Sequence, residues 1–478
     1  METKDRNLLV IGVFLPLFFA ILFNLAPRAS DLENSLARAR ESIEVHYPGL
    51  AAGYIRQVIN LEPWRDASWE NVADLELSAG KTEEAITAFQ QAIKANKLSP
   101  NGWLALGNAY KTLNNPDMAI STWQTLVQSG NATDQVYEQL AQLQWRTGKV
   151  DDAVSTYQSW LKFKPDNPQA AFNLGLLMVI AQPEIASTYL QMAASQDKSL
   201  APQVEALQHP LQVATAIGQD ETYRLVLTGR SLGNLGYWDL AYQAFLKSKT
   251  LNPEYAEAWA FIGEAQQHMG EDGLSALEQA QKIDPESILV KALLGLYWRR
   301  QGHPEKALVL VDAIVTKEPD QAIWQVEMGT ILAEMGNSSA ALEHFQKAIA
   351  LEPGSSPNWQ SLAKFSISRG IQPETIGLHA ARQAVLLTPK DAAALDTMGS
   401  VLYSLSDMQG AERFFLRALA ENNQFAPSHL HLGQVFLQTN QLNLAYFHLK
   451  QAANLATVNS ETDNITRRLL KQYFGGGS

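Results

Sequence analysis

The chain has no cysteine among its 478 residues. Disulfides, cysteine-based zinc sites and thiol catalysis are therefore excluded. Basic residues are also scarce, with 37 Lys and Arg against 49 Asp and Glu, for a formal net charge of −12. No basic stretch stands out that could neutralise a phosphate backbone, so the composition argues against nucleic-acid binding.

Glycine and proline are too few for a collagen-like or disordered chain, at 29 and 20 residues. Hydrophobic residues make up 46% of the sequence, which is enough for a large helical core. Neither a dinucleotide-binding fingerprint nor a His-Glu-x-x-His motif occurs, and serines and carboxylates are scattered through helical segments. We therefore expect no enzyme, cofactor or metal site.

The nine histidines form no metal-binding pattern. His429 and His431 are two residues apart on a predicted helix and so lie on different faces. His344 and His448 have no acidic partner at ligand spacing. We predict that these histidines lie at the surface or in a groove.

A possible nucleotide motif, Gly80-Lys81-Thr82, looks like the end of a phosphate-binding loop. Such a loop needs a second glycine five residues earlier, because its backbone folds around the phosphates. Position 75 is Leu75, and the preceding segment is typical of a helix rather than a strand. The pattern therefore predicts a turn between two helices.

An apolar run begins at Leu8 and continues to residue 26. At about 1.5 Å per residue it reaches roughly 28 Å as a helix, close to the thickness of a bilayer core. Residues 1–31 are therefore predicted to be an N-terminal membrane anchor, with one transmembrane helix over residues 8–26. A cleaved signal peptide is the alternative. Lys4 and Arg6 before the run favour a cytoplasmic N-terminus, with the remaining chain on the extracytoplasmic side.

A glycine followed five residues later by alanine recurs along the chain, at Gly80, Gly148, Gly236, Gly302 and Gly336. Gly236 to Gly270 and Gly302 to Gly336 are both 34-residue intervals, and Asn114 lies midway between Gly80 and Gly148. A period of this length is typical of stacked helical hairpins. Glycine ends the first helix because it accepts a left-handed backbone, and alanine lets the second helix approach closely.

Two further patterns keep the same period. An aromatic residue is followed after four positions by a small one, beginning at Trp69, Trp103, Tyr137, Trp259 and Trp359. Proline ends the second helices, at Pro165, Pro253, Pro285, Pro319, Pro353 and Pro389. Together these features resemble the tetratricopeptide repeat (TPR) family, and the apolar N-terminus is similar to that of its membrane-anchored bacterial members. The resemblance implies an all-α, right-handed superhelical solenoid of helix-turn-helix repeats.

The repeats suggest the following division of the chain. Repeats 1–5 occupy residues 32–195, an insert occupies 196–221, repeats 6–12 occupy 222–459, a C-terminal cap helix occupies 460–474, and 475–478 resemble an artificial linker. The insert is too long for a turn between repeats, so we expect an extra helix or a broken pair. It could be a hinge.

In TPR proteins the second, fifth, ninth and twelfth positions of the first helices line a concave groove. The resemblance therefore indicates where a partner would bind. No fifth position carries the lysine of the carboxylate clamp found in chaperone-binding members. We predict partner contacts at these positions or beside them: Trp145, Arg146, Phe172, Leu176, Val179, Ile180, Arg230, Arg299 and Arg300, with Lys364 adding positive charge.

The apolar set from Phe172 to Ile180 has two explanations. The insert folds back over it, or a partner protein covers it; we expect the insert to cover most of it and leave Trp145 and Arg146 open. The leading functional hypothesis is a membrane-anchored scaffold or adaptor that binds proteins, as an accessory or assembly subunit of a membrane complex. Its lipid contact would run through residues 8–26, placing it as a single-pass protein of the cell membrane. The alternative is a self-assembling structural protein of stacked or paired solenoids.

Overall fold

The computed structural model describes residues 30–216, 218, 220–457 and 460–475. Regular secondary structure in these ranges is helical, without a strand, which confirms the all-α class. The predicted span, residues 8–26, lies outside the described residues. None of the described helices has the length and apolar character needed to cross a membrane.

The chain divides into two compact units, Met1–Ala216 and Ile217–Ser478. The first unit contains helix α1 over residues 30–44, followed by α2 Pro48–Leu61, α3 Ser68–Ser78, α4 Thr82–Lys94, α5 Pro100–Thr112, α6 Pro116–Gln128, α7 Asp134–Arg146, α8 Val150–Phe163, α9 Pro168–Met178, α10 Pro183–Gln196 and α11 Ala201–Ala216. Short 3₁₀ turns occupy Pro63–Arg65 and Lys198–Leu200.

The second unit continues the helical hairpins. Its helices are α12 Glu221–Asn234, α13 Trp238–Leu251, α14 Ala256–His268, α15 Leu274–Ile283, α16 Ile288–Arg300, α17 Pro304–Lys317, α18 Ala322–Glu334, α19 Ser338–Leu351, α20 Ser356–Arg369, α21 Leu378–Leu387, α22 Ala392–Ser404, α23 Met408–Glu421, α24 Ala426–Gln438, α25 Leu442–Leu455 and α26 Glu461–Phe474. A π-helical turn, Pro373–Gly377, precedes α21.

Consecutive helices pack as pairs within each unit, for example α3 with α4 and α22 with α23. The first helix of each pair also contacts the second helix of the pair before it, as α5 contacts α4 and α24 contacts α23. Each hairpin therefore buries its apolar side against its neighbours, which is the packing of a TPR-like solenoid. The right-handed superhelical twist stays a prediction.

Turn geometry explains why each helix pair folds back. Gly80 and Gly148 have φ of 75° and 77°, in the left-handed region that an L side chain rarely adopts. After Gly80, the backbone N–H of Lys81 donates to the Glu76 carbonyl across 2.8 Å and closes the end of α3. Lys81 Nζ lies 3.8 Å from the buried Glu76 carboxylate. The prediction that Gly80-Lys81-Thr82 is a turn between helices is confirmed.

Small residues in the first helices make room for large side chains of the second. At Gly107, an added Cβ would lie 2.0 Å from Nε1 of Trp123. Trp123 is fully buried, and its indole N–H donates to the Leu104 carbonyl across 3.3 Å. A close helix pair therefore depends on glycine at this position.

The insert contains a helix, α11, which packs against α10. The side-chain amide of Gln208 donates to the Ser187 carbonyl at 3.2 Å and contacts its hydroxyl at 3.0 Å. Leu207 is buried, with 2% of its surface exposed. That the insert covers the apolar set from Phe172 to Ile180 stays a prediction.

The C-terminal helix α26 packs against α24 and α25. Ser460 caps it, because the Ser460 hydroxyl accepts from the Asp463 backbone N–H at 3.2 Å. Leu469 and neighbouring apolar residues of α26 pack against the buried Leu430 and Leu449. The helix thus covers the apolar side of the last hairpin, α24 with α25.

Candidate functional site: the groove of the second unit

The second unit contains a groove of about 910 Å³ along four successive first helices, α18, α20, α22 and α24. The helix α26 contributes a further wall. The polar lining residues are Thr330, Glu334, Ser361, Lys364, Ser368, Arg369, Asp396, Ser400, Tyr403, Ser404, His431, Gln434, Glu461 and Thr462. Apolar lining comes mainly from Phe345, Phe365, Ile367, Phe415, Phe425, Leu430 and Ile465.

The lining repeats at the same positions of successive helices. On α22 it consists chiefly of Ala393, Asp396, Ser400 and Tyr403, three or four residues apart and therefore on one helix face. These are the second, fifth, ninth and twelfth residues of α22. The positions implied by the family resemblance thus line this groove.

One groove carboxylate, Asp396, is held by hydrogen bonds. It is only 5% exposed. Its Oδ1 accepts from the buried Ser428 hydroxyl at 2.7 Å and lies 2.9 Å from His431 Nδ1. These contacts join α22 to α24, so Asp396 holds neighbouring repeats together.

A second groove carboxylate, Glu334, is paired with Arg299. Arg299 Nη2 lies 2.9 Å from Glu334, and Nη1 lies 2.6 Å from Glu327. Burial opposes the charge of Arg299, but its hydrogen bonds to Glu334 and Glu327 outweigh burial and raise its pKa. Arg299 therefore links α16 to α18 through this chain's own carboxylates.

Two cations in the groove, Lys364 and Arg369, differ from Arg299. Both are exposed on α20. In the part of the chain that the structure describes, neither forms an ion pair with a carboxylate. The hydroxyl of nearby Ser368 donates to its own helix, to the Phe365 carbonyl at 3.1 Å. Within the described residues, the positive charges of α20 thus lie in the groove without an ion pair, and the exposed carboxylate of Glu461 lines the same groove.

Other predicted partner contacts are engaged inside the second unit. Arg300 Nη1 and Nη2 donate to Glu264 across 2.8 and 2.9 Å. Burial alone would raise the pKa of Glu264, but hydrogen bonds from His268 and Arg300 outweigh it and lower that pKa. The Arg230 guanidinium lies 5.5 Å from the centre of the Phe261 ring. Arg299 and Arg300 are therefore already paired, and we leave them out of the proposed contact surface.

The predicted contacts in the first unit do not form one open surface. Trp145 is half-buried and Arg146 is exposed at the end of α7. Phe172, Leu176 and Val179 are 2%, 0% and 4% exposed, and Ile180 is half-buried. Because Phe172, Leu176 and Val179 are buried, they offer a partner no exposed apolar surface in this structure. A role for these residues in partner binding stays a prediction.

The prediction for two histidines is wrong, because His429 and His448 are buried, with 7% and 8% of their surfaces exposed. Their Nδ1 atoms are 3.0 Å apart, and His429 Nε2 lies 3.2 Å from the Asn423 carbonyl. His429 is the fourth residue of α24, where other repeats carry an aromatic residue such as the half-buried Trp359. The position therefore indicated partial burial, and the small imidazole of His429 is covered further.

A Gly-x-Ser-x-Gly pattern at residues 229–233 lies inside helix α12. The nucleophile of a hydrolase in such a motif sits on a sharp turn between a strand and a helix. Here a Cβ at Gly229 would lie 2.3 Å from the Phe245 ring, and one at Gly233 would lie 2.7 Å from Trp238. The two glycines therefore serve helix packing. Across the described ranges, no three His, Cys, Asp or Glu side chains converge as metal ligands.

Three segments of the chain match models of a known repeat family. Residues 73–114 match a model described as TPR repeat, and residues 138–179 and 325–355 match models described as tetratricopeptide repeat. No match was found among curated protein sequences.

Similar solved structures include a chain of the APC/C hetero-tetramer Cut9–Hcn1, 14% identical, covering 93% of this chain and 98% of that one, with a TM-score of 0.43. Yeast Tom70 is 13% identical over 92% of this chain and 95% of its own, also at 0.43. A tetratricopeptide repeat protein from Parabacteroides merdae is 15% identical over 52% of this chain and 98% of its own, with the same score. At these scores the likenesses support no argument about function.

The matched segments lie in both compact units. They coincide with paired helices joined by left-handed turns, as at Gly148. The chain therefore contains tetratricopeptide repeats, as its sequence predicted.

Proposed function

We propose that the chain is a membrane-anchored scaffold or adaptor that binds an extended segment of a partner protein in the groove of its second unit. The observation that supports this most directly is the presence of two exposed cations, Lys364 and Arg369, that form no ion pair within the described residues and line a groove of about 910 Å³. The proposed role is binding, without catalysis.

The charge distribution favours an acidic segment. The chain as a whole carries a net charge of −12, and Lys364 and Arg369 place two positive charges on α20, in a groove that also contains the carboxylates of Glu334, Asp396 and Glu461. Glu334 and Asp396 are already engaged by Arg299 and by Ser428 with His431. Carboxylates of a partner would therefore complement α20 and be repelled by most other faces of the molecule.

The groove spans four first helices, which sets the size of the segment. Packed helices lie about 8–10 Å apart, so three intervals cover roughly 30 Å. An extended chain advances about 3.3 Å per residue, which corresponds to roughly nine residues. The apolar lining, including Phe365 and Phe425, would receive side chains between the acidic ones.

The N-terminal sequence supports a place at the membrane. The apolar residues 8–26 would hold the chain in the bilayer as a single span. Lys4 and Arg6 favour a cytoplasmic N-terminus, so we place the repeats on the extracytoplasmic side. A scaffold held there suits an accessory or assembly subunit of a membrane complex.

Self-assembly by end-to-end stacking is the alternative function. Within the described residues, α26 covers the last hairpin, where Leu430 and Leu449 would otherwise be free to meet another solenoid. A terminal helix of this kind closes a repeat array, and we therefore favour binding of a different protein.

Selection of peptides from a random ten-residue library against the full chain, inserted in lipid nanodiscs, tests the groove. We expect selected peptides to be rich in Asp and Glu. Their affinity should fall at least about tenfold, or about 1.4 kcal/mol, when Lys364→Ala and Arg369→Ala are combined. The matched control combines Lys347→Ala with Arg382→Ala, two exposed cations outside the groove. Equal affinity of both double variants for the selected peptides would contradict the proposal.

A further inference from the structure

Trp64 is the most exposed aromatic side chain among the described residues of the first unit. It is 73% exposed, whereas the other ten tryptophans are half-buried or buried. It lies in the 3₁₀ turn Pro63–Arg65, directly after α2. Among the described residues no hydrogen bond or ring contact involves its indole. Packing within the described fold therefore does not explain a large apolar side chain at this place.

The register of α1 and α2 shows where Trp64 lies. The Ser35 hydroxyl is 3.3 Å from the Gln57 amide oxygen, and the Arg38 guanidinium is 5.9 Å from the centre of the Tyr54 ring. The two helices are thus antiparallel, with residue 30 opposite residue 62. Trp64 is therefore at the end of the hairpin where α1 begins.

The sequence brings this end of the hairpin close to the apolar run. Only residues 27–29 separate residue 26 from the first described residue of α1. Four Cα steps of about 3.5 Å reach at most roughly 14 Å. If residues 8–26 span a bilayer, the beginning of α1 and Trp64 opposite it must lie near the headgroups.

The side chains at this end of the hairpin are of types that favour the lipid headgroup layer. Tryptophan is enriched at membrane interfaces, because its ring is apolar while its N–H can bond to water or headgroups. Leu32 and Leu61 are half-buried at the same end, and Arg65, exposed beside Trp64, is paired with Glu62. An exposed indole beside a partly exposed aliphatic surface matches the headgroup layer.

We propose that Trp64 and the adjoining end of the α1–α2 hairpin dock on the lipid headgroup layer and fix the first unit against the membrane. This inference rests on the proposed membrane anchor. The opposite end of the hairpin also exposes apolar residues, including Tyr47 and Leu50. It lies about 20 Å away along α2, from 14 residues at about 1.5 Å each, and is not part of the docking surface.

The absence of cysteine makes a direct test simple. A nitroxide label is attached at Ala67→Cys, three residues after Trp64, in the full chain reconstituted in phosphatidylcholine and phosphatidylglycerol vesicles. Glu44→Cys, exposed at the far end of α1, is the matched control. Collision rates of each label with oxygen, which partitions into lipid, and with a water-soluble nickel chelate give its depth. Retention of the protein after alkaline carbonate washing is measured on the same vesicles.

We expect the label at position 67 to lose nickel accessibility and keep oxygen accessibility, and the label at position 44 to remain fully aqueous. Trp64→Ser should return the label at position 67 to water, whereas Tyr47→Ser should not. Equal nickel accessibility at both positions in retained protein would overturn the docking proposal alone. Protection from both reagents would overturn it in favour of a protein contact. Loss of the protein on carbonate washing would refute the proposed anchor itself.

Discussion

The buried histidine pair predicts a loss of local stability in acid. The His429 ring lies 3.2 Å from the Asn423 carbonyl through Nε2, so Nε2 carries the proton and Nδ1 is left as an acceptor. His448 Nδ1–H then donates to it across 3.0 Å. The rings of Phe436 and Phe447 lie 5.5 and 5.1 Å from that of His448. A further proton on His448, at Nε2, would place a positive charge among these rings, where burial disfavours it.

The pKa shifts give the direction and the size of the effect. Burial, with a smaller contribution from His429, lowers the pKa of His448 from 6.5 to about 4. Burial also lowers the pKa of His429. Below pH 6.5 the unfolded chain takes up a proton that the folded chain excludes, so stability falls as the pH drops towards 4. Between pH 7 and pH 5, His448 alone should cost about 2 kcal/mol, or roughly a 20-fold increase in local opening.

Hydrogen exchange of α24 and α25, corrected for the intrinsic pH dependence of exchange, measures this opening directly. The test variant is His448→Asn, whose amide can still donate to His429 but does not titrate. We expect its protection in α24 and α25 to depend much less on pH than that of the wild-type chain. Equal pH dependence in the two proteins would refute the assignment of a buried neutral His448.

Three other predictions concern packing and the turn motif. Leu176→Ala should lower the free energy of unfolding by about 2–5 kcal/mol, because the side chain is fully buried; unchanged denaturant unfolding with loss of peptide binding would instead mean that a partner covers it. Gly107→Ala should destabilise the chain by about 1–3 kcal/mol, since its Cβ would meet Trp123, whereas Gly53→Ala, with nothing within 4 Å of its Cβ, should be neutral or stabilising in the same melts. Lys81→Ala should leave peptide binding intact, and equilibrium dialysis should detect no ATP binding before or after the change.

The repeat itself could be predicted from sequence, because its signals are local. The left-handed turns at Gly80 and Gly148 follow from the backbone preference of glycine alone. Asn114, with φ of 55°, replaces glycine at the same phase, since asparagine also tolerates this conformation. Helix pairing then follows from the 34-residue period.

The partners of charged side chains could not be predicted in the same way. Arg299 and Arg300 are neighbours in sequence, yet one pairs with Glu334 on α18 and the other with Glu264 on α14. These choices depend on how adjacent repeats are placed side by side. The sequence indicated cations near a groove, but only the packing distinguishes the paired Arg299 from the unpaired Lys364.

The groove of the second unit is tested most directly by cross-linking from inside it, in the cells that make the protein. A photoreactive amino acid replaces Ser400, which lines the groove. The matched position is Arg417, exposed on α23 and outside the groove. We predict that Ser400 cross-links to an acidic, extended segment of a partner protein, and that Lys364→Glu combined with Arg369→Glu abolishes this product. Cross-links from Ser400 to a segment without carboxylates that survive this charge reversal, or cross-links from Arg417 alone, would contradict the account.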